Sequence, residues 1–78
     1  MSRDDIEKFI LSIGFKYNGN IGDYYYNYKE FVIYLYDDHY DFYNGIEWFD
    51  DIDLNDLRPL DKEFKKELRS IKLKGLLR

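Results

Sequence analysis

Cysteine is missing from all 78 residues, which removes both a disulfide framework and a thiolate metal centre as reinforcement for so small a fold. Long apolar runs are missing too. Nothing approaches the roughly 20 residues that cross a bilayer, and the start, MSRDDIEKF, lacks the basic-then-apolar order of a secretory signal. These absences predict a soluble, cytoplasmic protein of one domain. Histidine and proline occur once each, at His39 and Pro59. Basic residues are scarce in the middle of the chain, where residues 23–61 hold eleven acids against two bases, whereas residues 62–78 hold seven bases against two acids. Such a division can close on itself within the fold or address partners of opposite sign.

Aromatic side chains are abundant instead: nine tyrosines, six phenylalanines and one tryptophan. A domain this short has a core worth only a few kcal/mol of net stability. Rings that each bury a large area, with about 0.5–1.5 kcal/mol more per aromatic pair, can take the place of covalent staples.

Ser2 and Asp5 have the spacing of a capping box, and Asp4, Asp5 and Glu7 suit the positive end of a helix dipole. Ile6, Phe9, Ile10 and Ile13 then recur on one stripe, and Gly14 can take the left-handed conformation that ends a helix. The spacing predicts a helix over residues 3–13. Phe15 to Tyr17 reads as a short extended entry, and NGNIGD as a turn. Aromatic and β-branched runs predict strands at Tyr24 to Tyr28, Phe31 to Asp37 and Tyr40 to Tyr43, joined at Lys29-Glu30 and Asp38-His39. Asn44-Gly45 is a hairpin signal that returns Ile46 to Phe49 as a fourth strand. DDIDLNDLRPL reads as an irregular connection with at most one helical turn near Leu54 to Leu57, which Pro59 stops at Arg58. Asp61 fits the N-cap of a second helix carrying Phe64, Leu68 and Ile71 on one face; its end falls near Ser70 or at Gly75. The fold class is therefore α+β: an N-terminal helix, a three- to four-stranded antiparallel meander and a C-terminal helix, with both helices on one face of the sheet.

Alternation places Phe31, Ile33, Leu35 and Phe42 on the face the helices cover, and Val32, Tyr34 and Tyr36 on the other. Two-residue turns would set Tyr25 opposite Tyr34, Tyr34 opposite Tyr43 and Tyr43 opposite Ile46, with Asp41 between Tyr36 and Trp48. The outer face then carries Tyr34, Tyr36, Tyr43 and Trp48. Tyrosines there can simply cover a wet sheet, or serve as a contact surface, for which Tyr and Trp are suited. Stacking of nucleobases needs a basic groove beside the rings. These rings are interleaved with Asp37, Asp38, Asp41, Glu47, Asp50, Asp51 and Asp53, so direct nucleic-acid binding is disfavoured.

Catalytic signals are absent: no nucleophile, oxyanion site or phosphate-binding glycine loop can be identified, and no enzyme and no cofactor are expected. The hairpin Asp37-Asp38-His39-Tyr40-Asp41 contains ligand types without the spacing of a calcium loop, so no metal is expected there either. A metal-dependent activity at this hairpin is the least supported reading. The best one is a small acidic binding protein whose carboxylates occupy a basic surface on a larger protein. In size, lack of cysteine and its acidic residues 37–53, especially DDHYD and EWFDDID, the chain resembles in kind the small acidic, tyrosine-rich anti-CRISPR and DNA-mimic proteins that bacteriophages encode against host nucleases. That resemblance implies a stoichiometric inhibitor of a CRISPR effector or another defence nuclease, acting without cofactor. The alternative is a homo-oligomerising module, most simply a homodimer, that pairs through the tyrosine face.

Overall fold

Ser2 caps the first helix as its spacing predicts: its hydroxyl accepts from the Asp5 N–H and the Asp5 carboxylate accepts from the Ser2 N–H, both at 3.2 Å. In the computed structural model, which describes residues 1–22 and 24–73 and no side chain beyond Ser70, the elements are α1 (Arg3–Ile13), β1 (Lys16–Tyr17), β2 (Tyr25–Tyr28), β3 (Phe31–Leu35), β4 (His39–Tyr43), β5 (Trp48–Asp53) and α2 (Arg58–Leu73). The five strands form one antiparallel sheet in the order β1-β2-β3-β4-β5. The protein is thus an α+β meander, with one strand more than expected, because Lys16 and Tyr17 pair with Asn27 and Tyr26.

Ile6, Phe9 and Ile10 of α1, Leu60, Phe64 and Leu68 of α2, and Tyr26, Ile33, Leu35, Tyr40, Phe42 and Ile52 of the sheet belong to one buried cluster. Both helices therefore cover the same face. Phe64 is the hub: its ring meets Phe15, Tyr28, Phe31 and Phe42 at centroid distances of 5.6, 6.4, 4.7 and 6.2 Å. The backbone of α2 leaves helical geometry at this residue (φ −125°, ψ 36°). Two tyrosines are wholly enclosed in the core, and each finds a hydroxyl partner: Tyr40 donates to the Asp56 carbonyl at 2.6 Å and Tyr26 donates to the Glu7 carboxylate. Burial, with the Glu7 bond second, pushes the Tyr26 hydroxyl up to about 12.

Three local expectations are corrected. The β3–β4 loop is Asp37-Asp38, not Asp38-His39, since the Tyr36 N–H donates to the His39 carbonyl at 2.9 Å. This puts both aspartates in water at the tip and draws His39 into the strand, where its ring stacks on Tyr36 (4.3 Å, 11°). Tyr34 consequently pairs with Asp41, not Tyr43. The shift of two residues leaves every side chain on its predicted face.

The second correction lies in the next hairpin, where Asn44 sits before the loop. Its side-chain oxygen accepts from the Ile46 and Glu47 N–H groups, both at 2.9 Å, and Gly45 (φ +95°) takes the positive φ. Tyr43 therefore faces Trp48. The third concerns residues 50–60. β5 continues to Asp53 through an irregularity in which Asp50 and Asp51 oppose Asp41, and this bulge turns Ile52 inward. The helix then begins at Arg58 and not after Asp61: the Asp61 N–H already donates to the Leu57 carbonyl at 2.7 Å. Pro59 is tolerated because a first-turn residue needs no N–H bond, and Asp56 accepts the Arg58 N–H at 3.2 Å. The guanidinium and N–H of Arg58 hold the Asp56 carboxyl down at about 2. The helix passes through Ser70 as far as Leu73; its expected end at Gly75 and the Ile71 side chain lie outside the described residues.

Candidate partner-binding surface

Every second residue of β2, β3 and β4 points away from the helices, and on this outer side the rings form one connected array. Tyr34 is central. It meets Tyr25 edge-on at 5.2 Å, Tyr24 at 5.7 Å and the Trp48 indole in a stack at 5.7 Å and 19°. Trp48 continues to Tyr43 at 5.1 Å, while Tyr24 continues to Tyr36 at 4.8 Å, and Tyr36 to the His39 ring. The array is packed laterally yet open above, with Trp48 47% and Tyr24 39% exposed.

Strand polarity sorts the carboxylates into two groups. The β3–β4 loop and the last residue of β5 lie at one end of the sheet, where His39 pairs with Asp53. Asp37, Asp38 and Asp53 therefore belong to this end, with Asp41 and Asp51 immediately behind them. Glu47 belongs to the opposite end, in the hairpin that turns at Gly45. Asp50 sits in the bulge between the two. The four rings predicted as contacts, Tyr34, Tyr36, Tyr43 and Trp48, are all in the outer array. Tyr24 and His39 were not predicted for it. The period-2 pattern could have found His39, which shares the parity of Asp41 and Tyr43 once the loop is placed one residue earlier.

Asp37 is fully exposed, with Arg3 3.9 Å away. Asp38 accepts from His39 Nδ1 at 2.5 Å, and Asp51 lies 3.6 Å from His39 Nε2. The hydrogen bond that His39 donates to Asp38 raises the His39 pKa above its ordinary value, with the charges of Asp38, Asp51 and Asp41 adding to it, and the same bond lowers Asp38. Asp41 accepts the Asp51 N–H at 2.9 Å. Among the described residues, no ion pair joins Lys62, Lys65, Lys66 or Arg69 to these carboxylates; the side chains of Lys72 and Lys74 lie outside that set. The one cluster of metal-ligand types found among the described residues is His39, Asp41 and Asp51, whose donor atoms all lie within 4.8 Å of one another. Reading DDHYD in isolation misses Asp51, which only the bulge brings there.

No protein-family model, curated protein or solved structure matches the chain. No described helix is long and apolar enough to cross a membrane.

Proposed function

We propose that the protein acts by binding, with the acidic end of its outer sheet face laid against a basic surface of a larger protein. The observation that carries this reading is the adjacency of exposed carboxylates, at Asp37, Asp38, Asp51 and Asp53, to an open array of aromatic rings. Carboxylates at this end stand in for the phosphates that a nucleic-acid-binding surface normally receives, and the rings supply contact area. The resemblance in kind to anti-CRISPR and DNA-mimic inhibitors makes a CRISPR effector or another nuclease of a bacterial host the first partner to try.

The test is affinity capture from bacterial lysate at low salt, comparing the wild-type chain with the triple variant Asp37→Asn, Asp38→Asn, Asp53→Asn, three exposed positions at the acidic end. Exposed charges contribute little to folding, so the variant should melt with the wild type, while capture weakens and loses part of its dependence on salt. Undiminished capture by the variant at low salt would refute the reading.

A second reading rests on the same rings without the charges. If Tyr34, Tyr43 and Trp48 pair with those of a second copy, light scattering should find a dimer that Tyr34→Glu dissolves without unfolding. A wild-type chain that stays monomeric at high concentration removes it.

A further inference from the structure

We propose that His39, Asp41 and Asp51 form a three-ligand site for a divalent transition ion of the zinc class. The inference does not depend on the binding role above, and it revises the expectation drawn from the hairpin sequence alone. His39 and Asp41 are two apart on β4 and so project to the same side of the sheet. The β5 bulge supplies Asp51 from the neighbouring strand, so the three donors come from two paired strands and not from one flexible loop.

The imidazole is arranged as a ligand. Its Nδ1 is engaged by Asp38 at 2.5 Å, which in the neutral ring leaves Nε2 with its lone pair. That atom lies 3.6 Å from an Asp51 carboxylate oxygen. Metal-bound histidines characteristically have their second nitrogen held by a carboxylate, which fixes the tautomer and the ring orientation. Tyr36, stacked on the ring at 4.3 Å, restrains the remaining rotation. Nitrogen and oxygen donors about 2.0–2.2 Å from a tetrahedral ion lie roughly 3.4 Å apart. The His39–Asp51 separation is already close to this, and the observed maximum of 4.8 Å closes with small rotations of the carboxylates. Asp41 accepts the Asp51 N–H through Oδ1, so its Oδ2 remains for an ion.

The donor set selects the class of ion. Calcium takes six to eight oxygens and magnesium a nearly ideal octahedron, whereas one imidazole with two carboxylates suits zinc, cobalt, nickel or copper. Water would fill the fourth position, since the His39 side chain is 31% exposed.

Isothermal calorimetry of the full chain with zinc chloride, and the visible spectrum of the chain with cobalt chloride, test the site. One zinc ion per chain should bind in the micromolar range, cobalt should give ligand-field bands, and magnesium and calcium should give no heat. His39→Gln and Asp51→Asn should each weaken zinc at least tenfold. Asn tolerates the left-handed backbone at position 51 (φ +54°), so this variant preserves the bulge. Asp38→Asn removes only the orienting partner and should cost about tenfold, whereas Asp53→Asn should change nothing. Absence of zinc heat at millimolar ion would overturn the proposal. Retention of full affinity in both folded ligand variants would also overturn it, by showing loose condensation on an acidic surface.

Discussion

Phe64→Ala should be the most damaging single substitution in the chain, costing about 3–5 kcal/mol, the range for removing a buried phenyl ring. A domain of this kind has only about 5–15 kcal/mol in total, and a short one lies towards the bottom of that range. The ring touches Phe15, Tyr28, Phe31 and Phe42, so its loss leaves a void bordered by three elements at once. It also stands at the break in α2, where truncation removes the anchor joining the two helical parts to the sheet. Phe9→Ala, Ile33→Ala and Leu35→Ala, each 0–1% exposed, should follow at about 2–5 kcal/mol. Urea unfolding followed by tryptophan fluorescence measures all four. An unchanged midpoint for Phe64→Ala would mean that α2 does not dock as described.

Gly14→Ala should be next, although it adds only one carbon. The backbone at Gly14 has φ +132° and ψ 1°, outside the regions open to ordinary residues, and strain of this kind costs about 1–3 kcal/mol. The added Cβ would also stand 2.9 Å from Tyr28 Cε1, and that ring packs against Phe15, Phe31 and Phe64 and has little freedom to retreat. In a domain of this size each kcal/mol lowers Tm by roughly 4–8 °C. Gly22→Ala is the matched control: a Cβ there meets nothing within 4 Å, and its melting temperature should stay level or rise slightly. Equal melting of the two variants would refute the role given to Gly14.

The parts of the fold that sequence reveals are those written in local chemistry. The Ser2 capping box, the apolar stripe of α1 and the Lys29-Glu30 turn are each specified by residues a few positions apart, and each stands where the pattern puts it. Side-chain faces were legible for a related reason: alternation survives a loop that moves by one residue, because pairing then shifts by two. Loop placement was not legible, because Asp37-Asp38 and Asp38-His39 are equally good turns until the Tyr36–His39 stack is known. The length of β5 was hidden by its bulge, which interrupts the alternation at Asp50 and Asp51. The same bulge explains why the candidate site was only partly visible. Acidic and aromatic residues could be assigned to the outer face one at a time, but the convergence of Asp51 on His39 depends on a backbone irregularity that no spacing announces.

The two margins of the sheet also bear on how such a chain avoids clumping. A tyrosine-rich run that pairs strand to strand is a natural seed for cross-β stacking, and each margin strand is where a further chain could join. On one side β1 is only two residues long. On the other, β5 has the bulge and three exposed aspartates, Asp50, Asp51 and Asp53, which would face the same charges on an incoming copy. Replacing these carboxylates with amides removes that repulsion and leaves the bulge as the main guard. The variant Asp50→Asn, Asp51→Asn, Asp53→Asn should therefore form thioflavin-binding fibrils, seeded from the β5 side, under conditions where the wild-type chain stays clear.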